Sequence, residues 1–290
     1  MITKNLFTRL GLATLPTMSS PAKADFLLID ISNSFTKLVA ASRERLTGQV
    51  VRIPTKELST EAIHRAMGAA SHYRRVVLSS VVPDAVEAVR AYIAPDAASE
   101  QPKLIQLNHE ANLGIGIDYP TPAGIGADRL ANAVAAAAFY GAPTVVVDFG
   151  TAVTFDVIAE TAQGPSYAGG VIAPGLEAMT DYLHRRTALL PKIELVDLKE
   201  PAAVIGKTTE KAMLAGAVYG YRGLVREILG ELRRELKAAR HLKVVATGGY
   251  AELIAETLPE IQEVRPNLTL EGIRIVGVLN EDAGAMQRRL

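Results

Sequence analysis

The sequence predicts an α/β protein built from two similar halves that face each other across a cleft. A strand-turn-strand pattern at residues 144–159 (TVVVDFGTAVTFDVIA) has a counterpart at residues 25–40 (DFLLIDISNSFTKLVA). A second pair of segments, residues 75–80 (RVVLSS) and 243–248 (KVVATG), predicts a matching strand late in each half. Such an internal duplication fixes the architecture before any single element is considered.

The later hairpin carries residue types that suit phosphate chemistry. Three valines at residues 145–147 predict a buried strand that leads to Asp148, and the chain turns at Gly150. The returning strand follows Thr151 and includes Thr154. Backbone N–H groups and short hydroxyls at such a turn suit a phosphate, and the preceding carboxylate suits the cation that accompanies it.

The earlier hairpin resembles the later one when Asp30 is placed on Asp148 without gaps. The alignment then matches Ser32 with Gly150, Asn33 with Thr151, Ser34 with Ala152 and Thr36 with Thr154. Two facing turns predict a cleft that holds the β- and γ-phosphates of a nucleotide. Asp30 would hold Mg²⁺ directly or through water, and Lys37 would either neutralise phosphate charge or be an exposed strand residue.

Composition narrows the classes of function. Lys plus Arg and Asp plus Glu are both 31, so no net charge favours binding to nucleic acid or to an anionic membrane. The absence of cysteine excludes a disulfide framework, thiol catalysis and cysteine-ligated metals. No apolar run approaches the ~20 residues of a membrane span. We therefore expect neither a nucleic-acid nor a membrane partner.

The length of 290 residues and the duplication together predict two domains, residues 25–142 and 143–290. Residues 1–24 precede the first strand and would be a signal peptide, a poorly ordered extension or the product of a misplaced start. Arg9 and Pro16 interrupt the apolar core that a signal peptide needs, which favours the other two interpretations.

The remaining first half alternates strand and helix signals, with strands predicted at 49–53, 75–82 and 103–107 and helices at 60–71 and 84–94. A loop rich in Gly and Pro at 113–122 then leads to an Ala-rich helix at 130–140. Asp128 lies near the start of this helix, where it would be an N-cap or a functional acid. The adjacent Arg129 favours function, because an acid and a guanidinium at one helix end can hold a hydroxyl and an anion together.

In the second half, residues 167–175 (YAGGVIAPG) lead to a helix that reaches about residue 187, and their glycines would permit close packing or ligand approach. Thr208 and Thr209 are cap candidates for a helix at 205–219, whose small residues allow close contact with another helix, including one from a second subunit. A charged helix with a solvated face is predicted at 223–240. The buried strand at 243–246 ends in Thr247, Gly248 and Gly249, and the two glycines can admit a flat nucleoside.

An ordered series of short motifs resembles the type III pantothenate kinase family from residue 25 to the C-terminus. The motifs are DISNSFTK (30–37), LSSVVP (78–83), YP (119–120), GADR (126–129), DFGTAVTFD (148–156), GGVIAPG (169–175), GKTT (206–209), TGG (247–249) and PNLTLEG (266–272). The resemblance implies the acetate and sugar kinase/actin-like ATPase fold, with two ribonuclease H-like domains and a nucleotide cleft between them. It also implies a cytoplasmic homodimer that phosphorylates pantothenate to 4′-phosphopantothenate, the first step of coenzyme A biosynthesis. ATP with Mg²⁺ and a monovalent cation, K⁺ or NH₄⁺, are the implied cofactors.

The same resemblance implies roles for individual residues. Asp128 would be the general base, Asp148 the ligand of the monovalent cation and Asp30 the ligand of Mg²⁺. Pantothenate would contact Tyr119, Gly126, Ala127, Asp128, Arg129 and Thr209. ATP would contact Asp30, Ile31, Ser32, Asn33, Ser34, Phe35, Thr36, Lys37, Gly150, Thr151, Thr154, Gly248 and Gly249.

This chain departs from the family pattern at two turn positions. Ser34 replaces the usual threonine and keeps a hydroxyl. Ser32 replaces the usual glycine, and it would weaken ATP binding if the turn required a positive φ.

Three alternatives from other classes remain at this point. A nucleotide-binding regulatory homologue could keep the fold with weakened catalysis, and Ser32 would then be the substitution that weakens it. A sugar or acetate kinase would share both hairpins, but Tyr119-Pro120 and residues 126–129 argue against it. A nucleotide-gated scaffold of the actin type is disfavoured because an acid and an arginine at a loop-helix junction suit a small substrate.

Overall fold

Two mixed β-sheets form the framework of the protein in the computed structural model. The structure describes residues 24–94, 101–193, 199–237 and 241–281. Of the predicted N-terminal extension, residues 1–23 lie outside the described residues, whereas Ala24 already belongs to the first strand. Within the described residues, no helix combines the length and the apolar character needed to cross a membrane.

The first sheet consists of five strands, β1 (Ala24–Ile31), β2 (Phe35–Ala41), β3 (Val51–Pro54), β4 (Tyr73–Ser80) and β5 (Lys103–Gln106). Their order is β3-β2-β1-β4-β5, with β2 antiparallel to β1 and β3, and β4 parallel to β1 and β5. Two short helices, α1 (Thr60–Met67) and α2 (Val86–Ile93), pack beside each other. Helix α1 begins at its cap Ser59 and ends earlier than predicted because Gly68 has a positive φ of 74°.

The second sheet repeats this order and adds one strand. It consists of β6 (Gly116–Ile117), β7 (Thr144–Phe149), β8 (Ala152–Thr161), β9 (Gly164–Pro174), β10 (Lys243–Gly248) and β11 (Glu263–Val264). Their order is β11-β10-β7-β8-β9-β6, so β9-β8-β7-β10-β11 corresponds to β3-β2-β1-β4-β5 with the same strand directions. This duplicated order is that of the ribonuclease H-like halves of actin-like ATPases, which confirms the predicted fold class.

The duplication also holds at the level of single residues in β4 and β10. Ser79 pairs with Asp30 in the first sheet, and Thr247 pairs with Asp148 in the second. The predicted match of residues 75–80 with 243–248 is therefore confirmed, and each aspartate has a small hydroxyl residue beside it.

Within the described residues, five further α-helices complete the fold: α3 (Ala127–Tyr140), α4 (Leu176–Arg186), α5 (Thr209–Glu235), α6 (Ala251–Ala255) and α7 (Leu268–Leu279). The separate helices predicted at 205–219 and 223–240 are one continuous α5, and residues 238–240 lie outside the described residues. Thr208 is its cap, since its hydroxyl accepts a hydrogen bond from the Lys211 amide, and Thr209 is the first helical residue.

Two helices pack across the middle of the chain. Helix α3, from the first half, contacts β7, β8 and β9, whereas α7, from the second half, contacts β1 and β4, and the two helices pack on each other. A Cβ on Gly272 would lie 1.9 Å from the Ala131 carbonyl oxygen, so this close helix contact requires glycine. The boundary at residues 142/143 stays a prediction, because the packing of α3 and α7 crosses it.

Candidate active site

The carboxyl ends of β1 and β7 open into one cleft of about 380 Å³, within the size range of small-molecule sites. Most of the predicted nucleotide residues line it, namely Asp30, Ser32, Asn33, Ser34, Phe35, Lys37, Gly150, Thr151, Thr154, Gly248 and Gly249, together with Asp128 and Asp148. The tips of the two hairpins meet, since the Ser34 and Thr151 hydroxyls lie 2.9 Å apart.

The two hairpins differ by one residue in their turns. Asp30 pairs with Lys37 across the first hairpin, whereas Asp148 pairs with Thr154 across the second. The ungapped alignment of Thr36 with Thr154 is therefore wrong beyond the turn, because the first loop is one residue longer. Lys37 is the positional equivalent of Thr154.

Two predicted ATP residues have side chains that do not reach the cleft. Ile31 is buried in an apolar cluster of the first sheet. The Thr36 hydroxyl is buried 3.2 Å from that of Thr55, which in turn donates to the Ser32 carbonyl oxygen. The side chain of Thr36 thus stabilises the first turn through Thr55 and does not line the cleft.

Ser32 adopts no strained backbone conformation. In the described residues the only non-glycine residue with positive φ is Lys237, and Gly150 does not have positive φ either. The Ser32 amide closes the turn by donating to the Phe35 carbonyl oxygen at 3.2 Å. The condition under which Ser32 would weaken ATP binding is therefore not met.

Of the two hairpin aspartates, Asp30 is buried and Asp148 is half-buried, and both have few neutralising partners. Burial raises the pKa of Asp30 to about 6, although Lys37 at 3.9 Å lowers it, and the Ser79 hydroxyl donates to Asp30 Oδ1. Burial also raises the pKa of Asp148, whose Oδ2 accepts from Asn132 Nδ2 at 3.0 Å. Thr269 completes this chain by donating to Asn132 Oδ1 at 2.8 Å.

These two carboxylates fit cations whose other ligands come from substrate and water. In the parts of the chain that are described, no three Asp, Glu, His or Cys side chains form a group that could hold a metal ion. Each aspartate nevertheless lines the cleft, and its pKa is raised chiefly because burial destabilises the charged form. A bound cation would stabilise the charged form and so lower the pKa again. One or two carboxylates plus phosphate oxygens and water is the usual ligand set of Mg²⁺ beside a nucleotide.

Asp128 lies in the first turn of α3, but it is not the cap. Gly126 occupies the cap position, and a Cβ there would lie 2.5 Å from Asp128 Oδ1, so glycine makes room for the carboxylate. The Arg129 amide donates to Asp128 Oδ1 at 2.8 Å. Burial, followed by the nearby Asp148, raises the pKa of Asp128.

Arg129 and Tyr119 belong to a second cluster beside the cleft. Arg129 Nε donates to the buried Asp156 at 2.7 Å, and its guanidinium carbon lies 5.6 Å from the centre of the Tyr167 ring. The Tyr119 ring contacts that of Tyr167, and Gly169, with a φ of 99°, lies against Tyr119. Ala127 is buried at the start of α3.

Thr209 is not brought to the cleft of its own chain. It lines a separate, mostly apolar pocket between α4 and α5, together with Met179, Leu183, Leu190 and Met213.

Several residues around the cleft were not singled out from the sequence: Arg52, Asn132, Asp156, Glu177, Tyr250 and Thr269. Asp156 did carry a signal, since it is an aspartate flanked by Phe155 and Val157 in an apolar strand. Asn132 is likewise a single amide in an Ala-rich helix. Arg52 carried no signal, because an arginine between Val51 and Ile53 is typical of any half-exposed strand.

Comparisons with known proteins give matches over most of the chain. A family model described as type III pantothenate kinase matches residues 26–231. A type III pantothenate kinase of Akkermansia muciniphila is 51% identical over 257 residues, which cover 88% of this chain and 99% of that protein. Another, from Methylacidiphilum infernorum, is 43% identical over 256 residues and 87% of each chain.

A solved structure from Campylobacter jejuni, named as a Baf family transcriptional activator, has a TM-score of 0.50 with 19% identity, over 89% of this chain and 99% of that one. At this identity the likeness concerns the fold alone. The family model and the two relatives, by contrast, match in sequence over most of the chain. The chain therefore belongs to the type III pantothenate kinase family.

Proposed function

We propose that this protein transfers the γ-phosphoryl group of ATP to pantothenate, which gives 4′-phosphopantothenate, the first intermediate of coenzyme A biosynthesis. The observation that carries this proposal is that Asp128 lines the same cleft as two aspartate-bearing hairpins. Membership of the family supplies the identity of the acceptor.

On the nucleotide side, the two turns would hold the phosphates between them. Ser34 and Thr151 lie at the meeting point of the two tips, and Lys37 adds a cation beside Asp30. Asp30 would hold Mg²⁺, which neutralises phosphate charge when bound. Because phosphoryl transfer passes through a loose transition state, positioning by these turns supplies most of the catalysis.

On the acceptor side, Asp128 would take the proton of the pantothenate hydroxyl. An aspartate is a weak base, but its raised pKa favours proton uptake, and in a loose transition state the proton leaves late. Tyr119, Gly126, Ala127 and Arg129 would form the rest of the acceptor subsite, with Arg129 holding a polar or anionic part of pantothenate.

Asp148 would bind the monovalent cation, K⁺ or NH₄⁺. Its support is the Thr269–Asn132–Asp148 hydrogen-bond chain, which fixes the carboxylate while leaving it at the cleft. Gly248 permits this arrangement, because a Cβ at that position would lie 2.6 Å from Asp148 Oδ1.

We further propose a cytoplasmic homodimer formed through the face of α4 and α5. Large apolar side chains are exposed on and beside this face, namely Tyr182, Leu183, Leu189, Val204 and Ile205. Exposed apolar groups on this scale mark an interaction surface, and the small residues of α5 suit close contact with a second copy. Thr209 lies on this face, so it would complete the acceptor subsite of the partner.

A coupled assay of ADP release tests the proposed reaction, with K⁺ present or replaced by a large organic cation. We expect ADP only when pantothenate is added, with faster release in K⁺. ATP binding without pantothenate-dependent ADP release would instead indicate the regulatory homologue, and equal rates in both salts would remove the monovalent cation from the proposal.

A further inference from the structure

The buried ion pair between Arg129 and Asp156 is not required by the fold. Asp156 is wholly buried on β8, where it pairs with Val146 of β7. The equivalent residue of the first hairpin is Val39, which pairs with Leu28 and is also wholly buried. The same strand position is thus filled once by an apolar side chain and once by a carboxylate.

A buried carboxylate at this position is costly unless it serves another purpose. Removing two charges from water is expensive, and apolar pairs of similar size often replace buried ion pairs without loss of stability. Since Val39 shows that the hairpin folds with an apolar residue there, stability alone does not explain the aspartate.

The contacts of Asp156 connect the two sides of the site. Its Oδ1 accepts from Arg129 Nε at 2.7 Å and from the Tyr167 hydroxyl at 3.3 Å, and its Oδ2 accepts from the Thr154 hydroxyl at 3.2 Å. Thr154 lines the nucleotide cleft. One carboxylate therefore joins the wall that would hold ATP to the arginine that would hold the acceptor.

The strand geometry directs Asp156 to this place. The pairing of β8 with β9 shifts register between Asp156 and Ile158, an irregularity of the kind that redirects side chains beside active sites. Gly170 lies opposite Asp156, and a Cβ there would lie 1.8 Å from the Phe155 carbonyl oxygen. Only glycine allows the strands to approach this closely.

The ion pair leaves the binding end of Arg129 free. Asp156 accepts a hydrogen bond from Nε of the guanidinium. Neither Nη group forms a hydrogen bond with another residue in the described segments. The side chain is only 12% exposed, so its orientation is set by Asp156 and the Tyr167 ring. A guanidinium held in this way presents its two outer nitrogens in a fixed direction.

We propose that Asp156 is a positioning residue that holds Arg129 in the orientation that binds pantothenate, and that it acts through Arg129 alone. This inference rests on the proposed function, and it adds a residue to the acceptor subsite. Asp156→Asn tests it, because the amide keeps the shape and can still bond to Thr154 while the charge that fixes Arg129 is lost.

The experiment compares steady-state constants of Asp156→Asn, Arg129→Gln and the double variant. Glu160→Gln, an exposed carboxylate on the same strand, serves as the control for charge. For Asp156→Asn we expect kcat/KM for pantothenate to fall about tenfold, with the KM for ATP unchanged within about twofold. The double variant should be no worse than Arg129→Gln, because Asp156 has nothing left to position.

Other outcomes would overturn the inference. Losses that multiply in the double variant would show that Asp156 acts independently of Arg129, and an equal loss in the KM for ATP would assign it to the nucleotide. If Asp156→Asn fails to melt cooperatively both alone and together with Arg129→Gln, its role is in folding. A wild-type protein that does not phosphorylate pantothenate would overturn the proposed function itself, whereas an active wild type with unaffected variants would overturn only the role of Asp156.

Discussion

Lys37 and Arg52 lie directly opposite each other on the neighbouring strands β2 and β3, and both line the nucleotide cleft. Lys37 is close to Asp30, whereas Arg52 forms no ion pair with any residue that the structure describes. Of these two cations, Arg52 is therefore the one whose charge is available to bind a phosphate.

Replacing Arg52 should weaken the binding of ATP. One charge-assisted hydrogen bond contributes about 1.5–3 kcal/mol, so Arg52→Gln should raise the KM for ATP roughly tenfold to a hundredfold, and the KM for pantothenate should not change. Steady-state kinetics measure both constants. Lys56→Gln removes a nearby exposed charge outside the cleft and should behave as wild type. An unchanged KM for ATP in Arg52→Gln would mean that this arginine is only an exposed strand residue.

Ser32→Gly should give no gain in nucleotide affinity. Because Ser32 does not have a positive φ, glycine relieves no strain there and adds freedom to the unfolded chain. We expect the free energy of unfolding to fall by up to ~1 kcal/mol and the KM for ATP to stay within about twofold of wild type. Denaturant unfolding and kinetics check this, and tighter ATP binding would show that the serine side chain obstructs the turn.

The sequence was sufficient to predict the duplicated hairpins, because in each an apolar strand leads to an aspartate and a polar turn. It did not reveal the different turn lengths, since Phe35, Thr36 and Lys37 fit either register by composition. The register matters because it brings Lys37, and not Thr36, into the cleft.

The candidate site was predictable where a residue lies next to a turn or a helix start, as Asp30, Asp128 and Asp148 do. Its supporting residues were harder to predict. Asn132 and Asp156 stand out only as single polar residues in apolar surroundings, and their contacts with Thr269 and Arg129 join different elements of the chain. The continuous α5 was also missed, since Gly220 and Gly223 weaken a helix signal that tertiary packing overrides.

Ligand-free protein should become less stable as pH rises from about 4 to about 6. The folded-state pKa of Asp30 is raised to about 6 from a usual value of 3.8, with burial as the first cause. Between these two values the folded state binds more protons than the unfolded state. The stability that Asp30 contributes is thus fully present below pH 3.8 and is lost as pH rises through about 6.

Thermal melting of the ligand-free protein measures this slope. Asp30→Asn removes this carboxyl group, so the fall in Tm over this range should be flatter in the variant than in wild type. The same slope in both proteins would contradict the raised pKa of Asp30.

A composite site at the dimer interface predicts complementation between two inactive variants. Asp128→Asn and Thr209→Arg would damage the same acceptor subsite from different subunits. A mixed dimer then holds one site with both lesions and one with neither, so random exchange should restore roughly a quarter of wild-type activity. Mass spectrometry of the mixed dimers confirms exchange. Verified exchange without recovery, or a monomer with full activity, would contradict the shared site.

The central claim is that Asp128 takes the proton from the pantothenate hydroxyl, and the most direct measurement is the turnover of Asp128→Asn beside its affinity for pantothenate. The amide keeps the shape of the side chain but cannot accept the proton. We expect calorimetry to give pantothenate binding within a few-fold of wild type, while kcat falls at least about a hundredfold. Asp84→Asn, which changes an exposed aspartate away from the cleft, should keep full activity. A kcat near that of wild type in Asp128→Asn would contradict the account.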